Sequence, residues 1–410
     1  MNTSTSYPII PSAQEYMYQQ KYVSISSLDI DQVKNPFSSH FEIDLPQDYC
    51  NVQSISLSSY TFPNNLNVFT KYFKNITMTF IINQPYNPTD ATLPNYALNF
   101  AIFTALYNKS ISATPNFLVR IQEGLYQTVP QMGFELTNKF NYVVSTYIIE
   151  YFTATSDTIN LNLFMSTGQY TQFNIQSDII SQVMIFGNQS SGFILTNDSI
   201  DLKNIDRDNT CSAFTGTLTP QDSLLGLPWF LGFSDSVTPK SYQSIATTNL
   251  NKLRFFSLPG TTGIWLTPAY SDEPNIYYIK APNKWNVFCG RYYMFMEIAG
   301  INSIDETQPF DIYNLKSSAG KVNSAFAKIP LYGNPVVPVN NIYYNGFKND
   351  NVMNIFTPPM ERIKKLSIKF RYHNGEYVNF AGATFSFNLK FNIFLPQNAR
   401  KYSMYRPEST

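Results

Sequence analysis

Two runs of alternating residues near the C-terminus constrain the fold more than any other part of the sequence. Residues 366–372 and residues 385–393 each alternate apolar with polar side chains. Successive side chains of a strand leave opposite faces of the sheet, so both runs are predicted to be half-buried strands. The Asn374–Gly375 step between them is typical of a tight turn, and we expect the runs to pair. A strand pair cannot bury one face alone, so the sequence predicts the end of a β-sandwich.

Short strand-like runs separated by turn residues continue through the rest of the chain. Their near-regular spacing favours a sandwich or barrel, which makes the fold class all-β. The predicted strands are residues 22–30, 41–45, 52–60, 75–82, 117–121, 159–165, 170–175, 182–186, 193–195, 292–298 and 325–331. The strand at 41–45 is expected to stop at Pro46.

One segment has a clear helical pattern. Thr128 and Gln131 have the spacing of a capping box, and Pro130 is tolerated in a first turn. Apolar residues then recur every three or four positions, which predicts an amphipathic helix near 128–144 whose apolar face belongs to the core. The apolar stripe consists of Val129, Met132, Leu136, Phe140 and Val143. A second, short helix is predicted for residues 96–107.

The polar ends of the chain differ from its apolar middle. Residues 1–20 are predicted to be an N-terminal arm, and residues 396–410 a C-terminal tail. Residues 21–395 would form the sandwich, with an inserted region at about 83–285. Within the insertion, the densely apolar residues 224–233 are expected to be buried.

Composition limits the classes of partner. Charged residues make up 14% of the chain and the net charge is zero, against roughly 25% charged residues in a typical soluble domain. A neutral polar surface is cheap to desolvate, which suits a subunit with large protein contacts, although an AT-rich coding sequence would give the same composition. The lack of a basic excess disfavours nucleic acid as the main partner. We expect no secretory signal and no membrane span, since no apolar run approaches 18 residues.

The sequence contains little material for catalysis or metal binding. Its two histidines, His40 and His373, are expected to be solvated at a strand start and in a turn. The acidic pairs Asp29/Asp31 and Asp206/Asp208 lack the glycine and distal glutamate of a calcium loop. The three cysteines fit neither a disulfide framework nor a zinc pattern, and are expected to be buried in a reducing compartment. These are Cys50, Cys211 and Cys289. We therefore predict no catalytic, metal-binding or cofactor-binding residues and no enzymatic activity.

Several segments in a fixed order resemble a known family. They are residues 41–46 leading into 51–64, residues 121–126 followed by the helix, residues 231–233, residues 326–331, and residues 363–370 with 375–391. Together they are similar to the jelly-roll structural proteins of nucleo-cytoplasmic large DNA viruses, of the minor capsid and penton type. The family often has a Ser-Arg-Asp-Arg stretch near its first strand, and Ser27 to Asp31 stands there without the arginines.

The resemblance implies a fold and a role. The fold would be a jelly-roll β-sandwich with long irregular insertions, with a tandem double jelly roll as the alternative. The chain would be a virion protein, a minor capsid or penton subunit assembled in the host cell cytoplasm. Its partners would be the major capsid protein, other minor capsid proteins and copies of itself, with a pentamer as one candidate state.

Two other functions stay open at this point. The aromatic excess and the tryptophans Trp229, Trp265 and Trp285 would suit a carbohydrate-binding fibre or receptor-binding module, although core packing explains each tryptophan as well. A glycoside hydrolase would need two carboxylates about 5–10 Å apart in a cleft.

Overall fold

The chain divides into two compact units, and the sequence of the second interrupts the sequence of the first. Unit 1 comprises Met1–Leu66 and Gly290–Thr410, and unit 2 comprises Asn67–Cys289. The units are therefore nested, whereas a tandem double jelly roll would place one after the other. The computed structural model describes residues 18–63, 68–71, 75–126, 128–178, 180–196, 226–233, 241–249, 264–285, 293–306, 324–331, 342–346, 353–372, 377–380 and 382–394. The predicted arm, except residues 18–20, and the predicted tail lie outside these ranges.

Strands dominate the described residues, and every pairing between them is antiparallel. The strands are β1 (Tyr18–Ser26), β2 (His40–Pro63), β3 (Thr77–Gln84), β4 (Phe117–Arg120), β5 (Phe173–Asp178), β6 (Val183–Asn188), β7 (Gly192–Thr196), β8 (Ser241–Gln243), β9 (Ile245–Thr247), β10 (Ile276–Lys280), β11 (Tyr293–Ile298), β12 (Ile304–Asp305), β13 (Ser324–Ala325), β14 (Ala327–Pro330), β15 (Ile342–Gly346), β16 (Met353–Arg371) and β17 (Ser386–Phe394). The helices are α1 (Tyr96–Ser110), α2 (Val129–Ala154), α3 (Thr158–Ser166) and α4 (Leu227–Phe230). The fold class is all-β jelly-roll, as predicted.

The 24-residue strand β2 lies at the centre of unit 1. The sheet has the order β1–β17–β2–β16–β11–β14, and β15 also pairs with β2. The prediction that a strand ends at Pro46 is wrong, because β2 continues through it. Its register against β16 shifts between the pairs Tyr49↔Ile363 and Asp44↔Lys365, so Pro46 lies in an irregularity where a missing N–H breaks no ladder hydrogen bond.

Both C-terminal runs are strands, but they do not form the predicted pair. β16 pairs with β2 and β11, and β17 pairs with β1 and β2, so β2 separates the two runs in the sheet. The Asn374–Gly375 step lies outside the described residues. The first predicted strands and the last two nevertheless belong to one sheet.

The apolar face of this sheet is packed largely with aromatic rings. Along β17, buried and half-buried residues alternate without a break. Phe62 of β2 lies with its ring centroid 5.2 Å from both Phe370 and Phe385. Phe391 stacks on Tyr49 at 4.8 Å. Each such pair adds about 0.5–1.5 kcal/mol to the energy of apolar burial.

A buried ion cluster lies in the same unit. Arg371, at the end of β16, is only 5% exposed. Its guanidinium donates to the carboxylate of Glu297 and forms an ion pair of 2.6 Å with that of Glu306. The guanidinium also lies 5.1 Å from the centre of the Phe295 ring. Burial alone would lower the pKa of Arg371, but its interactions with the two carboxylates outweigh it and raise that pKa. The cluster ties β16 to β11 and to the segment after β12.

Unit 2 contains two four-stranded sheets and the helices. One sheet has the order β4–β3–β7–β8 and the other β5–β6–β10–β9. Both contribute to the main hydrophobic core together with α1, α2 and α3. Phe140 of α2 stacks on Phe80 of β3 at 4.4 Å and lies 5.6 Å from Phe186 of β6. The predicted burial of the 224–233 segment holds for its described part, where Leu227, Phe230, Leu231 and Phe233 are buried.

The predicted helix near 128–144 is present and longer than expected. Thr128 and Gln131 form the capping box, and the helix runs to Ala154. The apolar stripe begins with the predicted Val129, Met132, Leu136 and Phe140, but it then continues through buried Val144, Ile148 and Phe152 instead of Val143.

A second row on α2 is polar and packs on the edge of a sheet. Asn141 exchanges two hydrogen bonds of 2.9 Å with the backbone of Phe173, and Thr137 accepts from the Ile175 N–H at 2.9 Å. Ser145 accepts from the Tyr170 N–H at 3.0 Å. These side chains satisfy backbone groups at the exposed edge of β5, which would otherwise be open to another strand.

The prediction of a strand at residues 159–165 is wrong, because this segment is α3. Asp157 accepts a hydrogen bond from the Asn160 N–H at 3.1 Å and caps the helix. The alternating apolar residues that suggested a strand are not on a buried face, since Ile159 and Met165 are exposed and Phe164 is buried. The short helix predicted at 96–107 is α1.

We expect Arg371→Met to lower the free energy of unfolding of the protein by about 3–5 kcal/mol, because the buried carboxylate of Glu306 and the half-buried carboxylate of Glu297 would lose their guanidinium partner. Urea unfolding followed by circular dichroism measures this change. Arg362→Met is the matched control on the same strand. Arg362 pairs with Asp48 at the exposed surface, so its loss should cost less than about 1 kcal/mol. Equal effects of the two substitutions would contradict the prediction.

Gly133 provides a test of the packing of α2 on β5. Replacing a helical glycine by alanine usually stabilises a helix by about 1 kcal/mol. Here a Cβ would lie 2.9 Å from the carbonyl oxygen of Ile175, a backbone atom that cannot move aside cheaply. Gly133→Ala should therefore lower the melting temperature. Asn138→Ala, at an exposed position of the same helix, should leave it unchanged or raise it slightly.

Candidate functional site

The residues considered for metal binding or catalysis have structural roles where they are described. Asp29 accepts from the Ser26 N–H at 3.2 Å and caps a short 3-10 turn, and Asp31 accepts from the Val33 N–H at 3.0 Å. His40 is exposed at the start of β2, and its ring lies 5.8 Å from that of Tyr377. His373 and the pair Asp206/Asp208 lie outside the described residues.

The tryptophans pack against the cores of unit 2. Trp265 is buried with Val183, Ile185 and other apolar residues, and Trp229 and Trp285 are partly buried against the main core. This packing does not support a sugar-stacking role for any of the three. The expectation of buried cysteines is wrong for Cys50, which is exposed in β2, while Cys211 and Cys289 lie outside the described residues.

The described ranges lack a metal-binding cluster and a membrane-spanning helix. They contain no group of three or more histidine, cysteine or acidic side chains that could hold a metal ion. Among the described helices, none is both long and apolar enough to cross a membrane.

Helix α1 carries a row of aromatic side chains on one face. Tyr96, Phe100, Phe103 and Tyr107 follow one another at spacings of four, three and four residues, with ring centroids 5.7–6.2 Å apart. Phe100 and Tyr107 are 46% and 47% exposed. We call this row the aromatic face of α1.

The opposite face of α1 packs into the core of unit 2. Leu98, Ala105 and Leu106 are buried there. The helix is thus apolar on both sides, and Lys109 is its one charged residue. Two opposite apolar faces on one helix are both expected to be covered, so the aromatic face has the character of a contact surface.

A hydrogen-bonded cluster forms near the start of α1. The rings of Tyr86 and Tyr270 stack with centroids 3.9 Å apart. The Tyr86 hydroxyl donates to Asp272 at 2.5 Å, and the Thr89 N–H donates to the same carboxylate at 3.0 Å. Burial would raise the pKa of Asp272, but these hydrogen bonds outweigh it and hold this pKa below its usual value. Burial and the bond to Asp272 raise the pKa of Tyr86.

A second network fixes the adjoining loop. The buried hydroxyl of Tyr170 accepts from the side-chain Nδ2 of Asn188 at 3.0 Å. The side-chain Oδ1 of Asn188 accepts from the backbone N–H groups of Ser190 and Ser191. The Ser191 hydroxyl then accepts from the Tyr86 N–H at 3.0 Å. The two networks therefore join at Tyr86.

These networks border an open cleft of about 400 Å³. Its walls are the start of α1, the loop between α3 and β5, and the segment before β10. The lining residues are Leu93, Pro94, Asn95, Leu98, Asn99, Ile102, Phe164, Thr167, Gln169, Tyr170, Thr171, Gln172, Ala269, Tyr270 and Ser271. No lining residue is charged at neutral pH.

The aromatic face of α1 and the cleft differ in how far the sequence could have predicted them. The aromatic spacing of α1 is visible in the sequence and would have identified its exposed face. The cleft could not be found in this way, because its walls come from three separate segments that only the fold brings together.

Comparison with known proteins gives matches at the level of structure alone. No family model and no curated protein matches the sequence. The structure is similar to a chain of the cryo-EM structure of the Sputnik virophage, with 12% identity and a TM-score of 0.37, covering 94% of this chain and 99% of that one. It is also similar to the mavirus penton protein, with 10% identity and a TM-score of 0.35, covering 92% and 100%. Both matches are viral structures.

Asp272→Asn tests the cluster beside the cleft. Because the folded-state pKa of Asp272 lies below its unfolded value, the ionised carboxylate stabilises the fold above an unfolded pKa of about 4, and this stabilisation is lost as the pH falls through the folded pKa. Thermal unfolding at several pH values should show a lower melting temperature for the variant at pH 7 and convergence with the unmodified protein in acid. A pH-independent difference would contradict this. Glu123→Gln, at an exposed site, is the control.

Proposed function

We propose that this chain is a structural virion protein, a minor capsid or penton subunit that stabilises an icosahedral shell through contacts with capsid neighbours. It would have no enzymatic activity. Its partners would be the major capsid protein, other minor capsid proteins and copies of itself, and it would assemble in the host cell cytoplasm.

The observation that carries the proposal is the aromatic face of α1. A helix of 15 residues places its core side chains on one side and a row of four aromatic rings on the other. Aromatic side chains are enriched at the centres of protein interfaces, where charged ones are depleted. We assign the aromatic face of α1 to contact with a neighbouring capsid protein in the shell.

Two further features support the same role. The chain has a low charge content and no net charge, so its surface is cheap to desolvate against several neighbours. The ordered sequence motifs resemble viral jelly-roll structural proteins, and the described residues form the fold class that this resemblance implies.

Cross-linking of purified virions tests the proposal. Lys109 lies at the C-terminal end of α1, two residues after Tyr107 of the aromatic face, and supplies an amine for an amine-specific cross-linker. We expect mass spectrometry to find this chain in the virion and to find links from Lys109 to another virion protein. Lys139, on α2, is the comparison site. If the chain is absent from virions, the proposed function is wrong; if Lys109 links only within its own chain, the contact assigned to α1 is wrong.

The oligomeric state of the purified protein separates the two shell positions. A pentamer in mass photometry would favour a penton at a five-fold vertex. A monomer or smaller oligomer would favour a minor capsid subunit that gains its partners only in the shell. Phe100→Ser combined with Tyr107→Ser should weaken a pentamer if α1 contributes to it, whereas Tyr22→Ser, at an exposed aromatic residue of β1, should not.

A further inference from the structure

We propose that the cleft of unit 2 is a binding site for a neutral glycan. The cleft is bounded by α1, the loop between α3 and β5, and the segment before β10. This proposal does not depend on the shell position of the chain, because it concerns residues of unit 2 alone.

The chemistry of the lining selects the class of ligand. Four amide side chains, Asn95, Asn99, Gln169 and Gln172, each supply both a donor and an acceptor. Two threonines and Ser271 add hydroxyl groups. Sugar hydroxyls likewise donate and accept, so they match such a surface. The lack of charge in the lining disfavours phosphates, which select arginine or lysine, and hard cations, which select carboxylates.

An aromatic platform completes the match. The ring of Tyr270 stacks on that of Tyr86, and Tyr270 lines the cleft. The weakly polar C–H face of a pyranose packs well on an aromatic ring, whose negative face attracts the partial positive charge of C–H groups. Leu93, Leu98 and Ile102 provide further apolar contact.

The walls are held in place before a ligand arrives. Asp272 fixes the Tyr270 segment through Tyr86 and Thr89, and the Ala269 N–H donates to the Gln189 carbonyl at 3.3 Å. On the opposite side, Tyr170 is 7% exposed and is bonded to Asn188. Fixed walls reduce the entropy lost on binding, which matters for a ligand as weakly held as a sugar. The volume of about 400 Å³ falls in the range of roughly 300–1,000 Å³ of small-molecule sites.

The test uses the full-length protein and an array of neutral oligosaccharides, followed by saturation-transfer NMR with each oligosaccharide that binds. We expect at least one neutral glycan to bind. Asn99→Ala should weaken that binding at least tenfold, and the fold should tolerate it because alanine favours a helix more than asparagine does. The matched control is Asn108→Ala on the same helix. The side chain of Asn108 donates to Tyr151 away from the cleft, so its loss should leave glycan binding unchanged.

Tyr270→Leu is a second variant that removes the platform. It should abolish saturation transfer to the glycan while the melting temperature confirms that the protein is folded. Absence of binding by every neutral glycan would overturn the proposal. Binding confined to sialylated or sulfated glycans would overturn the neutral class, and unchanged binding by both Asn99→Ala and Tyr270→Leu would overturn the location. None of these outcomes bears on whether the chain is a virion protein, which the cross-linking experiment decides separately.

Discussion

The structure of unit 1 depends on the continuous hydrogen-bonded ladder along β2. One edge of this strand pairs with β17, and the other edge is shared by β16 and β15. The neighbours all come from residues 342–394, so both sequence segments of unit 1 are joined at β2. Its buried residues, among them Phe41, Val52 and Phe62, line the same aromatic core that β16 and β17 close. The irregularities at Pro46 and beyond Ile355 bend the ladder without ending it.

The sequence patterns predicted which face of each strand is buried, but not which strands lie next to each other in the sheet. The alternation in residues 385–393 predicts which side chains are buried, because that depends on the two-residue period of a strand. The same alternation does not specify which strand is the partner. The two runs were expected to form a hairpin, but β2 lies between them in the sheet. At α3 the period itself was misleading, since alternating residues there are exposed on a helix capped by Asp157.

Helix α2 shows why the functional surfaces were harder to predict than the core. The sequence predicts its apolar stripe. It does not predict the role of the row formed by Gly133, Thr137, Asn141 and Ser145, because that role depends on the packing of α2 on β5. This row protects a strand edge with side-chain hydrogen bonds, a device against unwanted strand pairing. The cleft is a similar case, because its walls come from three separate segments. The aromatic face of α1 is the exception, since four rings at helical spacing suffice to define it.

The pairing of β1 with β17 has a consequence for biosynthesis. Ser26 pairs with Ser386, 360 residues later in the chain. At the usual rate of synthesis of about 5–20 residues per second, β1 waits about 20–70 s for its partner. During that interval all of unit 2 emerges from the ribosome and has its own core to form. Until β17 arrives, β1 lacks its partner, and β2 lacks the strands of both of its edges, so the nascent chain exposes extended apolar strands that are prone to association. A chaperone that shields β1 and β2 would therefore have to act on the nascent chain, before its synthesis is complete.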